Sequence, residues 1–194
     1  MLTIDHAARG LIFDLDGTLA DTLPIHYRAW HETFARFGVS CPQSFLDRLT
    51  GLPTRETVLR YNAEFGHQLD PEAFARAKEV LVRDRLTASQ PIKPVVALLH
   101  QAHGRLPIAL ATGGVMTNVD VVLPAVGLAG LFDAIVTADD PVPHKPDPGI
   151  FLEAARRIGV PPAQCQVFED GEAGLQAARA AGMIVTDVRP YLQR

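Results

Sequence analysis

The sequence has few cysteines and little net charge. The first property bears on the cellular compartment of the protein, and the second bears on the class of partner it can bind. Only two cysteines occur in 194 residues, Cys41 and Cys165, and they lie far apart without CxxC or metal-ligand spacing. That usage predicts a reducing, cytoplasmic setting. The formal net charge is −4 with both signs interspersed, so the sequence gives no reason to expect a nucleic-acid partner.

Long apolar runs are also missing, since no stretch approaches the roughly 18 apolar residues that span a bilayer. The first ten residues, MLTIDHAARG, carry an acid early and do not resemble a signal peptide. A content of 47% hydrophobic and 21% charged residues is ordinary for a soluble globular protein. We therefore expect a soluble cytoplasmic protein with no membrane partner, and nothing in the sequence requires more than a monomer.

Short apolar segments alternate with longer helical patterns. The predicted strands are residues 10–14, 107–112, 134–137, 166–169 and 183–188. Continuous apolar strands are what a parallel sheet buried on both faces requires. The predicted helices of the C-terminal half are residues 94–103, 117–126, 148–158 and 172–181. This alternation predicts an α/β fold built from βαβ units.

The segment from about residue 24 to residue 86 departs from that alternation. It offers helical patterns at 25–37, 55–64 and 72–86 and no convincing strand. We interpret it as a helical insert after the first strand, which could cover the site. The predicted domains are a catalytic core of residues 1–20 and 91–194 and a helical cap of residues 21–90.

Two carboxylates follow the first predicted strand directly, in the segment Asp14-Leu-Asp16-Gly17-Thr18. Alternation along an extended chain points Asp14 and Asp16 the same way, and open α/β sheets bind ligands just beyond the carboxyl ends of their strands. Neighbouring carboxylates repel unless a cation compensates, and Mg²⁺ prefers such oxygen ligands. A polar loop with a capping aspartate is the alternative, which the position at a strand end disfavours.

Polar residues also follow the later strands. Thr112 precedes Gly113-Gly114, whose backbone amides could face an anion, although threonine before glycine is also common in turns. Lys145 lies near prolines that restrict its backbone; alone it would be a surface charge. Glu169 and Asp170 suit either a metal site or a helix cap. Because parallel strands bring these ends to one edge, the residues together predict an active site.

In this order the residues resemble the four motifs of the haloacid dehalogenase superfamily, over most of the chain. Asp14 and Asp16 match the first motif, Thr112 the second and Lys145 the third; Glu169 and Asp170 match the fourth. The resemblance implies a Rossmann-like parallel core with the helical cap of the β-phosphoglucomutase-like branch. Dehalogenases of the superfamily lack the second aspartate and need no metal, so Asp16 favours phosphoryl transfer. Residues 21–30 and 168–183 look especially close to bacterial sugar phosphatases of the fructose-1-phosphate phosphatase type.

The resemblance also implies roles. Asp14 would be the nucleophile and Asp16 the general acid and base, while Thr112 and Lys145 would stabilise the transferring phosphoryl oxygens. Mg²⁺ would be held by residues of the first and fourth motifs, with Asp16 contributing its carbonyl oxygen. These residues are Asp14, Asp16, Glu169 and Asp170.

Four residues are candidates for binding the substrate. The cap positions of the family correspond to His26, Arg55 and Lys78, and Gly113 is the candidate from the core. Taken singly, the cap residues would be exposed helix residues, since arginine and lysine mostly lie on surfaces. Where the mutase has a serine and a lysine after its second motif, this chain has Gly113-Gly114-Val115, which weakens the case for binding a second phosphate. Gly174 stands where many relatives carry an aspartate, which fits the branch with a Glu-Asp pair.

The predicted function is Mg²⁺-dependent hydrolysis of a small phosphorylated sugar through an aspartyl-phosphate. Two alternatives stay open: a β-phosphoglucomutase, which returns the phosphate to a sugar, and a non-catalytic binding protein with the same fold. Fold alone does not decide among them. The sequence also leaves the physiological substrate open among fructose 1-phosphate, β-glucose 1-phosphate and other small esters.

Overall fold

A computed structural model describes residues 2–192 and contains one parallel sheet. Its five strands lie in the order β3-β2-β1-β4-β5, and their bounds are β1 Gly10–Phe13, β2 Ile108–Ala111, β3 Ala134–Val136, β4 Cys165–Glu169 and β5 Ile184–Asp187. The first strand therefore occupies the centre, paired with β2 on one side and β4 on the other. All five predicted strands and the α/β fold are confirmed.

Helices cover both faces of this sheet, as its buried strands require. Their bounds are α5 Lys93–Ala102, α6 Met116–Ala125, α7 Gly149–Arg157 and α8 Glu172–Ala180. Along β1, Leu11 and Phe13 pack on the face covered by α5 and α6, whereas Ile12 packs on the face covered by α7 and α8. The Phe13 ring stacks on Phe168 of β4 with centroids 4.7 Å apart. The sheet is thus the middle layer of three.

The cap segment contains four helices, one more than the sequence predicts. Their bounds are α1 Leu23–Arg36, α2 Gln43–Arg48, α3 Thr54–Phe65 and α4 Pro71–Arg83. The predicted helix at 72–86 is too long, because α4 ends at Arg83 and a separate 3₁₀ turn follows at Leu86–Ala88. Asp70 caps α4 by accepting hydrogen bonds from the amides of Glu72 and Ala73.

The cap has a hydrophobic cluster of its own, rich in aromatic rings. The Phe74 ring lies 4.7 Å from that of Phe34 and 5.6 Å from that of Trp30, and the Phe34 ring lies 4.5 Å from that of Tyr61. All four residues are buried. Because this cluster is distinct from the two clusters that flank the sheet, it supports the proposed division into a core and a cap of residues 21–90.

The two chain crossings between core and cap lie side by side. Ala20 forms an antiparallel bridge with Pro91, the Asp21 amide donates to the Gln90 carbonyl at 2.9 Å, and the Ile92 amide donates to the Leu19 carbonyl at 2.9 Å. The cap is therefore joined to the core through one short paired junction. Among the described residues, no helix is both long and apolar enough to cross a membrane.

Candidate active site

The residues predicted for the four motifs meet at the carboxyl edge of the sheet. Asp14 directly follows β1, Thr112 directly follows β2, Glu169 ends β4, and Lys145 lies in the loop between β3 and α7. Asp14, Thr112, Lys145 and Glu169 are each at most 3% exposed. A charged side chain is rarely buried without a partner, so the contacts among these groups define the site.

Lys145 joins the two acidic strand ends. Its ammonium donates to Oδ1 of Asp14 at 2.6 Å, to Oε2 of Glu169 at 2.7 Å and to the Ala111 carbonyl at 3.2 Å. Although burial acts in the opposite direction, Asp14 and Glu169 raise the pKa of Lys145. The lysine is thus a fixed positive charge beside the predicted nucleophile.

Glu169 is held from both sides. Its Oε1 accepts from the amides of Asp170 and Gly171 at 3.0 and 2.8 Å, while Oε2 accepts from Lys145. A Cβ added at Gly174 would lie 2.0 Å from Oε2. The glycine that departs from the common family pattern therefore provides the space in which the Glu169 carboxylate lies.

Three buried carboxylates could hold a cation: Asp14, Glu169 and Asp170 each offer an oxygen within 4.8 Å of the others. Burial and the Glu169 charge raise the pKa of Asp14 well above its ordinary value and that of Asp170 to about 7. Lys145 alone leaves the pKa values of Asp14 and Asp170 raised, whereas a divalent cation with hard oxygen ligands would favour their ionised forms. The donor set therefore fits the divalent metal that the family implies.

Asp16 lies outside this acidic group, and its carboxylate faces the cap. Its Oδ1 accepts from the Thr22 hydroxyl at 2.6 Å and lies 3.2 Å from Nε2 of His26. Although burial opposes ionisation, the charge and hydrogen bond of His26 and the hydrogen bond from Thr22 lower the pKa of Asp16 to about 2. The two aspartates of the first motif thus have different surroundings, one beside Lys145 and one beside His26.

Lys78 extends this contact into the cap. Its ammonium lies 3.3 Å from Nδ1 of His26, 3.5 Å from the Thr54 hydroxyl and 4.7 Å above the Trp30 ring. Burial lowers the pKa of Lys78 to about 8. An exposed position, the ordinary expectation for this lysine alone, is wrong, because Lys78 is 6% exposed. Asp16, His26 and Lys78 form a continuous polar chain from the core into the cap.

Arg55 does not join that chain. Its guanidinium pairs with Glu72 at 2.7 Å and its side chain is 65% exposed, although the residue lines the cavity. Thr112 lines the same cavity, with its hydroxyl accepting from the Gly114 amide at 3.0 Å. Both residues stand at the wall of the site rather than in its charged centre.

A cap loop closes directly onto the core. A Cβ added at Gly113 would lie 2.2 Å from the Gly51 carbonyl oxygen, and one added at Gly171 would lie 2.9 Å from the Thr50 carbonyl oxygen. Side chains are excluded at both points, so only glycine permits this approach. Gly113, a candidate for binding substrate, therefore also contacts the cap loop.

The cavity between cap and core has a volume of about 650 Å³, enough for a small ligand. Besides the predicted site residues, its wall includes Trp30, Glu79, Asn118 and His144. No sequence pattern indicates Glu79 or Asn118, because they are 39 residues apart and meet only through tertiary packing. The sequence also does not indicate that Thr18 holds a site carboxylate, since its hydroxyl donates to Oδ1 of Asp170 at 2.8 Å only in the folded structure.

Comparison with known proteins decides the family. Residues 8–182 match the haloacid dehalogenase-like hydrolase family. The chain is also 43% identical over 183 residues to fructose-1-phosphate phosphatase YqaB of Escherichia coli (strain K12), which is 93% of this chain and 96% of that protein. The chain belongs to the haloacid dehalogenase-like hydrolases. The resemblance drawn from the motifs is thereby confirmed, and the protein is an enzyme of this family.

Other haloacid dehalogenase-like proteins are similar over most of the chain. Validoxylamine A 7'-phosphate phosphatase of Streptomyces hygroscopicus subsp. limoneus is 35% identical over 174 residues, covering 89% of this chain and 81% of that protein. The crystal structure of β-phosphoglucomutase from Clostridium difficile superposes with a TM-score of 0.82 at 27% identity, covering 93% of this chain and 84% of that one. The fold is thus common to phosphatases and a mutase.

Proposed function

We propose that this hydrolase removes phosphate from small phosphorylated sugars, with Mg²⁺, through an aspartyl-phosphate on Asp14. The observation that carries the proposal is the pairing of two aspartates in different surroundings, Asp14 beside Lys145 and Asp16 beside His26. One carboxylate is placed to attack and the other to exchange protons. The sugar substrate is supported by the similarity to a fructose-1-phosphate phosphatase.

Asp14 attacks phosphorus in this mechanism. Its oxygen forms the new bond to phosphorus as the bond to the sugar oxygen breaks, and water later attacks the aspartyl-phosphate to release inorganic phosphate. Held by Asp14, Glu169, Asp170 and the Asp16 carbonyl, Mg²⁺ would neutralise phosphate charge. Lys145 is placed to stabilise the transferring oxygens, and the Thr112 hydroxyl lies at the cavity wall to do the same.

Asp16 performs the proton transfers. In its protonated form it gives a proton to the departing sugar oxygen, and as a carboxylate it takes one from the attacking water. The low pKa of about 2 describes the resting arrangement with His26.

Glu169 positions Lys145 in this proposal, in addition to its proposed place among the metal ligands. Both of its carboxylate oxygens already accept hydrogen bonds, from two backbone amides and from Lys145. In the cap, His26 and Lys78 are proposed to contact the substrate, and Arg55 to bind it at the cavity wall. Gly113 is proposed to serve by letting the cap loop approach.

The setting expected from the sequence belongs to the same proposal. Cys41 and Cys165 are both buried free thiols, which supports a reducing, cytoplasmic compartment. We also propose that the enzyme acts as a monomer on a small molecule, without nucleic acid or membrane as partner.

A mutase is the second candidate, because β-phosphoglucomutase has the same fold and a similar sequence. It would have to hold a sugar bisphosphate in two orientations. The segment Gly113-Gly114-Val115 offers neither the serine nor the lysine that would bind a second phosphate. Hydrolysis is therefore the better-supported reaction.

The test uses purified protein with Mg²⁺ and a panel of fructose 1-phosphate, β-glucose 1-phosphate and glucose 6-phosphate. Inorganic phosphate and sugar-phosphate isomers are measured together, with EDTA and Asp14→Asn as controls. We expect phosphate release that both controls reduce by at least about a thousandfold, since the nucleophile is irreplaceable in a covalent mechanism.

Each other outcome has a distinct meaning. Isomer interconversion with little free phosphate would indicate the mutase. If no substrate of the panel yields inorganic phosphate or an isomer, a non-catalytic binding protein would be favoured. Substantial turnover by a folded Asp14→Asn variant would eliminate the aspartyl-phosphate.

A further inference from the structure

Three buried side-chain atoms among the described residues have no hydrogen-bond partner: Oε1 of Glu79, Oδ1 of Asn118 and Nδ1 of His144. All three residues line the cavity. Buried polar groups nearly always have a partner, because an unpaired one retains its full desolvation cost. Unpaired atoms in the wall of a cavity are therefore groups that a ligand would satisfy.

Glu79 and Asn118 act as one unit. The Asn118 amide nitrogen donates to Oε2 of Glu79 at 3.2 Å, which leaves Oε1 of Glu79 and Oδ1 of Asn118 as the two unpaired atoms. Glu79 lies on α4 of the cap and Asn118 on α6 of the core. The pair thus joins the two parts of the molecule at the wall of the cavity, and it includes two acceptor oxygens that no protein group satisfies.

Neighbouring cations leave this carboxylate oxygen unpaired. Lys78 is adjacent in sequence, but its ammonium is engaged by His26 and lies over the Trp30 ring. Arg55 is bound to Glu72. This part of the wall therefore presents two unpaired acceptor oxygens, one of them on a carboxylate whose charge also acts on the neighbouring Lys78.

Two acceptors and a negative charge require hydrogen-bond donors that are not themselves anionic. Sugar hydroxyl groups are such donors, whereas a second phosphate carries negative charge that Glu79 would repel. We propose that Glu79 and Asn118 bind hydroxyl groups at the non-reacting end of the substrate and so select polyhydroxylated monophosphates over bisphosphates. This inference rests on the proposed function and specifies the substrate class of the same site.

The experiment compares kcat/KM for three substrates with Mg²⁺. Fructose 1-phosphate carries several sugar hydroxyls and one phosphate, fructose 1,6-bisphosphate has a second phosphate in place of one hydroxyl, and p-nitrophenyl phosphate has no sugar hydroxyl. The variants are Glu79→Gln, Glu79→Ala and Asn118→Ala. The matched control is Glu64→Gln, because Glu64 is an exposed cap glutamate paired with Arg48 far from the mechanism.

We expect the alanine variants to lower the ratio of kcat/KM for fructose 1-phosphate over p-nitrophenyl phosphate by about tenfold to a hundredfold, as for a lost hydrogen bond to a charged group. Glu79→Gln should raise the ratio for the bisphosphate over the monophosphate by about tenfold, because it removes one repulsive charge. Glu64→Gln should leave both ratios unchanged.

Two results would overturn the inference. Unchanged ratios in all Glu79 and Asn118 variants would show that the pair does not recognise the sugar. Equal losses on all three substrates would indicate a defect in cap packing instead of hydroxyl recognition. Failure of the proposed function is distinguishable from both, because the wild-type protein would then release no phosphate from any of the three substrates.

Discussion

At the scale of single residues, the site depends on small side chains as much as on charged ones. Glu169 can accept from Lys145 only because position 174 has no side chain, since a Cβ there would lie 2.0 Å from Oε2 of Glu169. The carboxylate cannot move far, because its other oxygen is held by two backbone amides. Gly174 is therefore part of the support for Lys145 although it carries no chemistry.

Replacing that glycine should displace the carboxylate. We expect Gly174→Asp to lower kcat at least about tenfold and to destabilise the fold by about 1–3 kcal/mol, the usual cost of overpacking. The double variant Glu169→Ala/Gly174→Asp should recover part of the lost activity, because it supplies a new carboxylate on the side of Lys145 where space has been made. Phosphate release and urea unfolding would measure both effects.

The matched control is Gln176→Ala, on the exposed face of the same helix, which should change neither quantity. A Gly174→Asp variant with wild-type activity and stability would contradict the packing argument. A double variant weaker than either single variant would show that the new carboxylate does not reach Lys145.

Residue burial shows where sequence reasoning succeeds and where it stops. The meeting of Asp14, Lys145 and Glu169 could be predicted because each lies at the carboxyl end of a strand or in the loop after it, and parallel topology brings these ends together. The pairing of Glu79 with Asn118 could not, because it depends on how the cap packs against the core. The burial of Lys78 was missed for the same reason, since lysine has a strong general preference for the surface.

At the scale of elements, the loop between α2 and α3 is the part of the cap that meets the sheet edge. Its Gly51 carbonyl lies against Gly113, and its Thr50 carbonyl lies against Gly171. Both contacts are backbone to backbone, so no side-chain rotation relieves a clash there. Closure of this loop therefore depends on glycine at positions 113 and 171 of the core.

Gly113→Ala tests that dependence. The added methyl group would lie 2.2 Å from the Gly51 oxygen, so the cap loop must retreat. We expect kcat/KM for a sugar phosphate to fall by at least about tenfold, because a site open to water aligns its substrate less well. The fall should occur with little change in Tm, since the clash is between cap and core and not within either.

Steady-state kinetics and a thermal melt would check this expectation. A large drop in Tm would indicate damage to the core and would remove the closure argument. Unchanged kinetics would show that the loop does not need this approach for turnover.

The helices themselves were predictable to different degrees. Helix α4 has clear signals, with Asp70 as its N-cap and Pro71 in its first turn. Helix α2 covers six residues, too few to show a helical period, and its Phe45 and Leu46 are buried only because the rest of the cap surrounds them. Tertiary packing decides such short elements, so the sequence could not reveal this one.

At the scale of the whole molecule, the cap has a hydrophobic cluster of its own, although Ala29 and Val82 of the cap pack in the cluster of the core. Phe74 and Phe34 belong to the cap cluster, whereas Leu98 and Val95 belong to the cluster beneath the sheet. Trp30, the single tryptophan of the chain, lies in the cap cluster. Its fluorescence therefore reports on the cap, while far-ultraviolet circular dichroism reports on helices throughout the molecule.

Phe74→Ala should separate these two signals. Loss of the buried ring is expected to cost the cap about 3–5 kcal/mol, which the sheet does not share. Urea unfolding followed by Trp30 fluorescence should then precede unfolding followed by circular dichroism. In the control Leu98→Ala the two transitions should coincide, because the cap is anchored at both ends in the core. Coincident transitions in Phe74→Ala would show that cap and core unfold as one unit.

The paired crossing at Ala20 and Pro91 has a consequence for how such an enzyme can diversify. An insert whose two ends leave and enter at neighbouring points can be lengthened, recombined or exchanged without altering the order of strands that aligns the reacting groups. Evolution can then change the inserted cap while the core that carries the reacting groups stays the same. The short junction thus allows the substrate preference of such an enzyme to change independently of its reaction.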